Sequence, residues 1–264
     1  MVSKLRGLLA VLIFIVVLSA CSNPVGESQE PTAPRSHLSA EDFTLDEKGR
    51  PAYPGAVLGV DVSAHQQEID WERVRADGVS FAILRIGYRG YSEGGLKTDG
   101  QFAANYVGAR NVGLPVGVYF YSQATSEAEA REEAAYVLKL LDGVPLELPV
   151  FFDWEEVSQG RTGGKANSDV GAWALTFCKA ITQGGYQAGV YFNQRYGYSI
   201  MHLENLTDYS FWIAEYQSWQ SFAYDTDLWQ FTGEGHVDGI NTIVDMNLLY
   251  APEEQDEEAA EIAR

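Results

Sequence analysis

The sequence predicts an α/β fold: a modified TIM-like barrel of five βα units followed by about three strands with little helix between them. Three observations carry this reading. From residue 56 the chain alternates short apolar runs with amphipathic ones, the pattern of strand–helix units laid around a parallel sheet. Beyond about residue 206 the apolar runs continue, but the stretches between them are too short and polar for packed helices. About eight runs of similar length are enough to close a small barrel.

The elements follow in order. Residues 57–62 read as the first strand and 69–76 as a short helix; 81–88 is the second strand, and a helix covers about 99–111. The third strand is 114–122. A helix over 126–141 carries the clearest signals, a capping box from Ser126 and Glu129 and a stop at Gly143. Strand four is 148–154, helix 168–183 follows, and strand five is 188–193. A weak helix over 195–206 then gives way to strands at 211–216, 228–232 and 242–248.

The two ends read differently. Lys4 and Arg6 precede an apolar run over 8–18, too short for a confident span, and Leu18-Ser19-Ala20-Cys21 resembles a bacterial lipobox. Residues 1–21 are therefore expected to be a lipoprotein signal peptide, with Cys21 lipidated and the exported protein anchored to the cell membrane. Residues 22–54, rich in Ser, Pro, Glu and Gly, read as a flexible tether. The barrel is expected over 55–251, with an acidic tail at 252–264.

Composition narrows the function. The chain carries a net charge of −19, and cleavage before Cys21 would remove Lys4 and Arg6 but no acid, leaving it near −21. Such a surface argues against nucleic acid as a partner. The four histidines and two cysteines have no metal-like spacing, and no P-loop or dinucleotide glycine pattern is present, so neither metal nor cofactor is expected. Cys178 lies in an apolar helical stretch and reads as a buried core thiol. The expected state is a monomer.

The run Leu148-Pro149-Val150-Phe151-Phe152-Asp153-Trp154-Glu155 is the most informative. Side chains alternate along a strand, so Asp153 and Glu155 share one face and Trp154 packs behind it. Like charges at the end of a buried strand raise each other's pKa, a cost seldom kept for stability alone. Glycoside cleavage uses such a pair, because one carboxyl must hold a proton while another stays ionised.

Barrels of this kind work at the C-terminal ends of their strands. Those ends carry Asp61; Arg85 and Tyr88; Tyr119 and Tyr121; Asp153 and Glu155; Tyr191 and Asn193; residues 212–216; Gln230; and Asp245 with Asn247. Four carboxylates and many aromatics thus converge on one mouth, the composition of a sugar cleft. Packing in the core or at the rim is the alternative for the three tyrosines Tyr119, Tyr121 and Tyr191. Trp212, Trp229 and Gln230 are open to a reading as barrel lining, and Arg85 as the partner of a carboxylate in the mouth.

These residues resemble the glycoside hydrolase family 25 lysozymes, the Chalaropsis-type N-acetylmuramidases. The resemblance covers about residues 57–250. It rests on Gly59-Val60-Asp61-Val62-Ser63 with Ile69-Asp70-Trp71, Phe152-Asp153-Trp154-Glu155, Trp212-Ile213-Ala214-Glu215-Tyr216, Leu228-Trp229-Gln230-Phe231 and Val244-Asp245-Met246-Asn247. It implies hydrolysis of the β-1,4 bond between N-acetylmuramic acid and N-acetylglucosamine in peptidoglycan. Glu155 would be the general acid and Asp153 its supporting carboxylate, with Asp61 and Asp245 completing the catalytic mouth. Tyr119, Tyr121, Tyr191 and Gln230 would contact substrate. One departure stands out: where the family usually has a Gln-Gly pair, this chain has Gln66-Gln67. A non-catalytic wall-binding lipoprotein and a hydrolase of another N-acetylated glycan such as chitin are the alternatives; the chitinase pattern would need an acid at Phe151.

Overall fold

A computed structural model describes residues 33–165 and 169–250. The expected signal peptide with Cys21 and the acidic tail over 252–264 lie outside the described residues. Among those described, no helix is long and apolar enough to cross a membrane.

The chain opens with two short strands, β1 (Thr44–Leu45) and β2 (Pro51–Ala52), paired antiparallel. Then come β3 (Val57–Val62), α1 (Trp71–Ala76), β4 (Phe81–Arg89), β5 (Leu96–Thr98), α2 (Phe102–Asn111), β6 (Val116–Ser122), α3 (Glu127–Leu141) and β7 (Val150–Trp154). After β7 follow α4 (Val170–Gln183), β8 (Ala188–Asn193), α5 (Gln194–Ser199), β9 (Ser210–Ala214), β10 (Leu228–Gly235) and β11 (Val244–Leu249). Strands β3, β4, β6, β7, β8, β9, β10 and β11 form one closed barrel, with β3 pairing both β4 and β11. Five βα units and three further strands make up the ring, as the alternation predicts.

The helices form where the sequence places their caps. In α3, Ser126 accepts from the Glu129 main-chain N–H, and Ala130, Glu133, Ala134, Val137 and Leu141 are buried at helical spacing. The reciprocal bond of the expected capping box is displaced by one residue, because the Glu129 carboxylate takes the N–H and hydroxyl of Thr125 instead of the Ser126 N–H. Helix α4 is capped by Asp169 and buries Trp173, Phe177 and Cys178, the last as a core thiol 3.5 Å from the Gly189 carbonyl. The expected helix over 195–206 splits into α5 and a separate turn, Leu203–Asn205.

Two cores result. The larger fills the space between barrel and helices; Trp154 lies there, fully buried, its indole donating to the Ala124 carbonyl at 2.9 Å. The smaller fills the barrel itself with Phe81, Ile83, Phe151, Trp212 and Leu228. Glycines on neighbouring strands make room for these rings. A Cβ at Gly59 would lie 2.3 Å from the Phe81 ring, and one at Gly189 2.5 Å from Phe151.

Two further departures from the sequence reading concern the tether and the last strand. Residues 33–54, expected within a flexible tether, pack on the barrel. Phe43 sits edge-on to Trp229 at 5.4 Å, Tyr53 packs against Tyr250, and Arg50 bonds both Asp46 and Asp77. Sparse but large aromatic anchors outweigh the polar composition of this segment. In addition, β11 runs antiparallel to both its neighbours. Only residues 236–243 connect it to β10, fewer than the dozen or so a parallel crossover requires. Its first residues therefore reach the end of the barrel where the other strands finish.

Candidate active site

The antiparallel β11 places Asp245 directly opposite Asp61 of β3. On the other side of the ring, Tyr121, Asp153 and Tyr191 lie in register across β6, β7 and β8. Because alternate residues face one side, this register turns all five side chains into the barrel mouth. With Arg85, Glu155, Gln230 and the rings of Tyr119, Trp212 and Tyr216, they line a cavity of about 200 Å³.

A hydrogen-bond chain orders one wall. The hydroxyls of Tyr191 and Tyr216 both donate to Gln230 Oε1, at 2.8 and 2.9 Å, which turns the amide nitrogen toward Asp61 Oδ2 at 2.9 Å. Asn247 Nδ2 donates to the same oxygen at 2.8 Å, and its own carbonyl accepts from the Trp212 indole at 2.8 Å. Burial pushes Asp61 up to about 6, against the donors Asn247 and Gln230, which favour the carboxylate. Asp245 is pushed up to about 8 by burial, by the Asp61 charge and by its hydrogen bond to Asp61. Both facing carboxyls are thus held above the ordinary range, Asp245 further than Asp61.

The opposite wall holds the acids of strand four. Asp153 is 7% exposed, and burial followed by the Glu155 charge raises it well above the ordinary range. Its Oδ1 is fully buried and has no hydrogen-bond partner. Glu155, one residue past the end of β7, faces the mouth with an exposed side chain; the surrounding walls partly desolvate its carboxyl and raise its pKa, and a hydrogen bond from Tyr121 opposes the rise.

Among the described residues, Arg85 is the cation that lines this mouth, and its Nε bonds Asp99 Oδ2 at 2.7 Å. Asp99 is buried and also accepts from the main-chain N–H groups of Ala64 and Gln101. The expectation that Arg85 pairs with a carboxylate of the mouth is not met, because its partner Asp99 stands outside the set of mouth residues. Its signal was its place in the loop ahead of a helix, where an aspartate caps main-chain N–H groups.

Other expected mouth residues lie elsewhere. Asn193 caps α5 by accepting from the Tyr196 N–H, and Tyr88 stacks beneath Arg85 and Lys97 without lining the cavity. The Glu215 carboxylate staples its own loop through Ser221 and Gln194. Trp229 faces the outer core. Trp212 belongs to the barrel lining and to the site at once, since it packs against Tyr191 at 4.7 Å and orients Asn247. The Gln66-Gln67 departure leaves the turn intact: Gln66 closes a capping box with Ser63, and Gln67 takes up the turn with a φ of 60°. Among the described residues, no group of three His, Cys, Asp or Glu is arranged to hold a metal ion.

Known proteins share this fold. The family model of glycosyl hydrolases family 25 matches residues 60–240. An uncharacterized protein of Escherichia coli O157:H7, YegX, is 28% identical over 210 residues, 75% of this chain and 71% of that one. The autolytic lysozyme of Clostridium acetobutylicum is 26% identical over 194 residues, 72% of this chain and 54% of the lysozyme. Among solved structures, the modular autolysin LytC from Streptococcus pneumoniae aligns with a TM-score of 0.66 at 24% identity, over 83% of this chain and 52% of LytC. A family 25 glycosyl hydrolase from Bacillus anthracis aligns at 0.62 and 20% identity, over 84% and 98%. The chain thus spans about half the length of LytC and of the clostridial lysozyme, and the structural likeness at these identities is one of fold. The family match extends over well more than half of the chain, and the chain belongs to glycosyl hydrolases family 25.

Proposed function

We propose that the domain is an N-acetylmuramidase that cleaves the β-1,4 bond between N-acetylmuramic acid and N-acetylglucosamine in peptidoglycan. The observation that carries this reading is the pairing of a mouth-facing Glu155, whose pKa is raised by burial, with a buried Asp153 whose Oδ1 has no partner. A buried acceptor without a donor is costly in the free protein. An acetamido N–H of the substrate supplies that donor.

The chemistry follows from the two groups. Glu155 gives its proton to the glycosidic oxygen as the C1–O bond breaks, while the substrate's acetamido oxygen attacks C1 and Asp153 accepts the amide N–H. Water then opens the cyclic intermediate and returns a proton to Glu155. Asp61 and Asp245, both held above the ordinary carboxylate range, hold the sugar with limited negative charge. The tyrosines 119, 121 and 191 and Gln230 form the walls against which the ring is set.

Mass analysis of reduced muropeptides tests the assignment. Wild type is expected to release fragments ending in reduced N-acetylmuramic acid, and Glu155→Gln to release at least about 100-fold less. Ends in N-acetylglucosamine, or equal release from chitin oligomers, would refute the bond assignment. Equal release by Glu155→Gln would refute the acid, and no release by wild type would leave a wall-binding protein.

The leader supports a second part of the proposal: export and lipid attachment at Cys21. Because residues 33–54 pack on the barrel, only eleven residues separate Cys21 from Ala33. Fully extended, they reach on the order of 40 Å. The enzyme would act close to its membrane, on local wall. Fractionation of cells carrying wild type or Cys21→Ser tests this; full release of the wild type into the medium would overturn it.

A further inference from the structure

The sheet stops before the residue that matters most. The last pairs of β7 are Ser122↔Trp154 on one side and Asp153↔Tyr191 on the other, so Glu155 lies beyond the ladder. A carboxyl that must meet a scissile oxygen needs its main chain fixed by something else.

We propose that Gln123 and Thr162 are positioning residues for the general acid: they hold the main-chain carbonyl of Glu155 and thereby aim its carboxyl at the bond to be cut. The proposal rests on the reading of Glu155 as the acid. Gln123 Nε2 donates to the Glu155 carbonyl at 2.8 Å and, with its other hydrogen, to Ser122 O at 3.1 Å. Thr162 Oγ1 lies 3.1 Å from the same Glu155 carbonyl and 3.0 Å from Gln123 Oε1, and it accepts from the Val157 N–H at 2.8 Å. Both side chains are fully buried, so water does not stand in for either.

Two buried polar side chains directed at one main-chain oxygen are a costly arrangement for an ordinary loop. Thr162 reaches this position because the loop after β7 folds back on itself. The Arg161 N–H bonds the Tyr91 carbonyl at 2.8 Å, and the Arg161 side chain bonds Glu129 of α3 at 2.5 Å. The Glu156 carboxylate accepts from the Gly164 N–H at 2.6 Å, and a Cβ at Gly163 would lie 2.4 Å from Ser158 O, so the fold of the loop requires that glycine. The loop is thus tied to α3 and to the turn after β4, and its buried Thr162 hydroxyl sits between Gln123 and the Glu155 carbonyl. Gln123 follows β6 directly, which fixes it relative to Tyr121, the hydroxyl that bonds Glu155.

Steady-state kinetics on purified peptidoglycan, with melting temperature and pH profile, test this in the full chain. Thr162→Val keeps the shape and removes the hydroxyl; Thr162→Ser keeps the hydroxyl. We expect Thr162→Val to lower kcat by about 10- to 100-fold, with KM within about twofold. Its basic limb of kcat/KM should move to lower pH as Glu155 loosens toward solvent. Thr162→Ser should stay within about twofold of wild type, which a general loss of packing would not restore. The proposal is overturned if Thr162→Val keeps wild-type kcat, or if Ser and Val fall together with no shift of the limb. If Thr162→Val does not fold, Gln123→Met is judged by the same criteria. An inactive wild type would instead refute the muramidase reading, and the proposal with it.

Discussion

Gln67 occupies a backbone conformation that the rest of the chain gives mainly to glycine. Its φ is 60° and its ψ −136° at the end of the short turn Ala64–Gln66, and its side chain is exposed. Holding a residue with a Cβ in such a region costs about 1–3 kcal/mol. Glycine there removes the strain but adds about 0.5–1 kcal/mol of freedom to the unfolded chain. Gln67→Gly is therefore expected to stabilise the protein by roughly 1 kcal/mol. For a domain of this size that raises Tm by about 2–4 °C. Calorimetry checks it, with Gln67→Ala as the control that removes the side chain but keeps the Cβ. The reasoning fails if Gln67→Gly lowers Tm, or if Gln67→Ala raises it equally, since the side chain and not the backbone would then be responsible.

Three further outcomes concern the mouth and the buried carboxyls. Replacing the acid in Glu155→Gln should reduce turnover by about 10²–10⁴-fold while the protein still binds peptidoglycan, measured by turbidity and pull-down. Trp212→Phe strands the Asn247 carbonyl and should cost about 1–3 kcal/mol in a denaturant titration; a loss below about 0.5 kcal/mol would mean that Asn247 is held by something else. Stability should also fall as pH rises. Asp61, Asp245 and Glu133 are held at about 6, 8 and 7 in the folded state, all above the ordinary carboxylate range, so the native protein binds more protons than the unfolded chain between about pH 4 and 8. The stability these groups contribute is complete below about pH 4 and is lost through pH 6–8. Tm should decline over that window, and Asp245→Asn should flatten its upper part; a flat or rising wild-type profile would contradict the raised pKa of Asp61 and Asp245.

Local rules made much of this legible. The caps at Ser126 and the strand 188–193 follow from neighbours a few residues apart, and the structure reproduces them. Asp153 and Glu155 face one way because strand periodicity is itself local. Asp99 escaped because its partner Arg85 is on a different strand, and a lone aspartate in a loop has many other uses. Gln123 and Thr162 escaped for the same reason. Neither residue type signals a site, and only the folding back of the 156–165 segment brings them to Glu155.

The sequence alone determined the βα alternation, the exit of the acids on one strand face, and the set of motifs that resembles family 25. Each depends on periodicity, or on residue types at short spacing. The tertiary structure decided what depends on distant parts of the chain meeting. The antiparallel return of β11 sets Asp245 against Asp61, because residues 236–243 are too few for a crossover. Phe43 and Tyr53 dock a segment whose composition reads as a tether, because burying a few large rings outweighs the polarity around them.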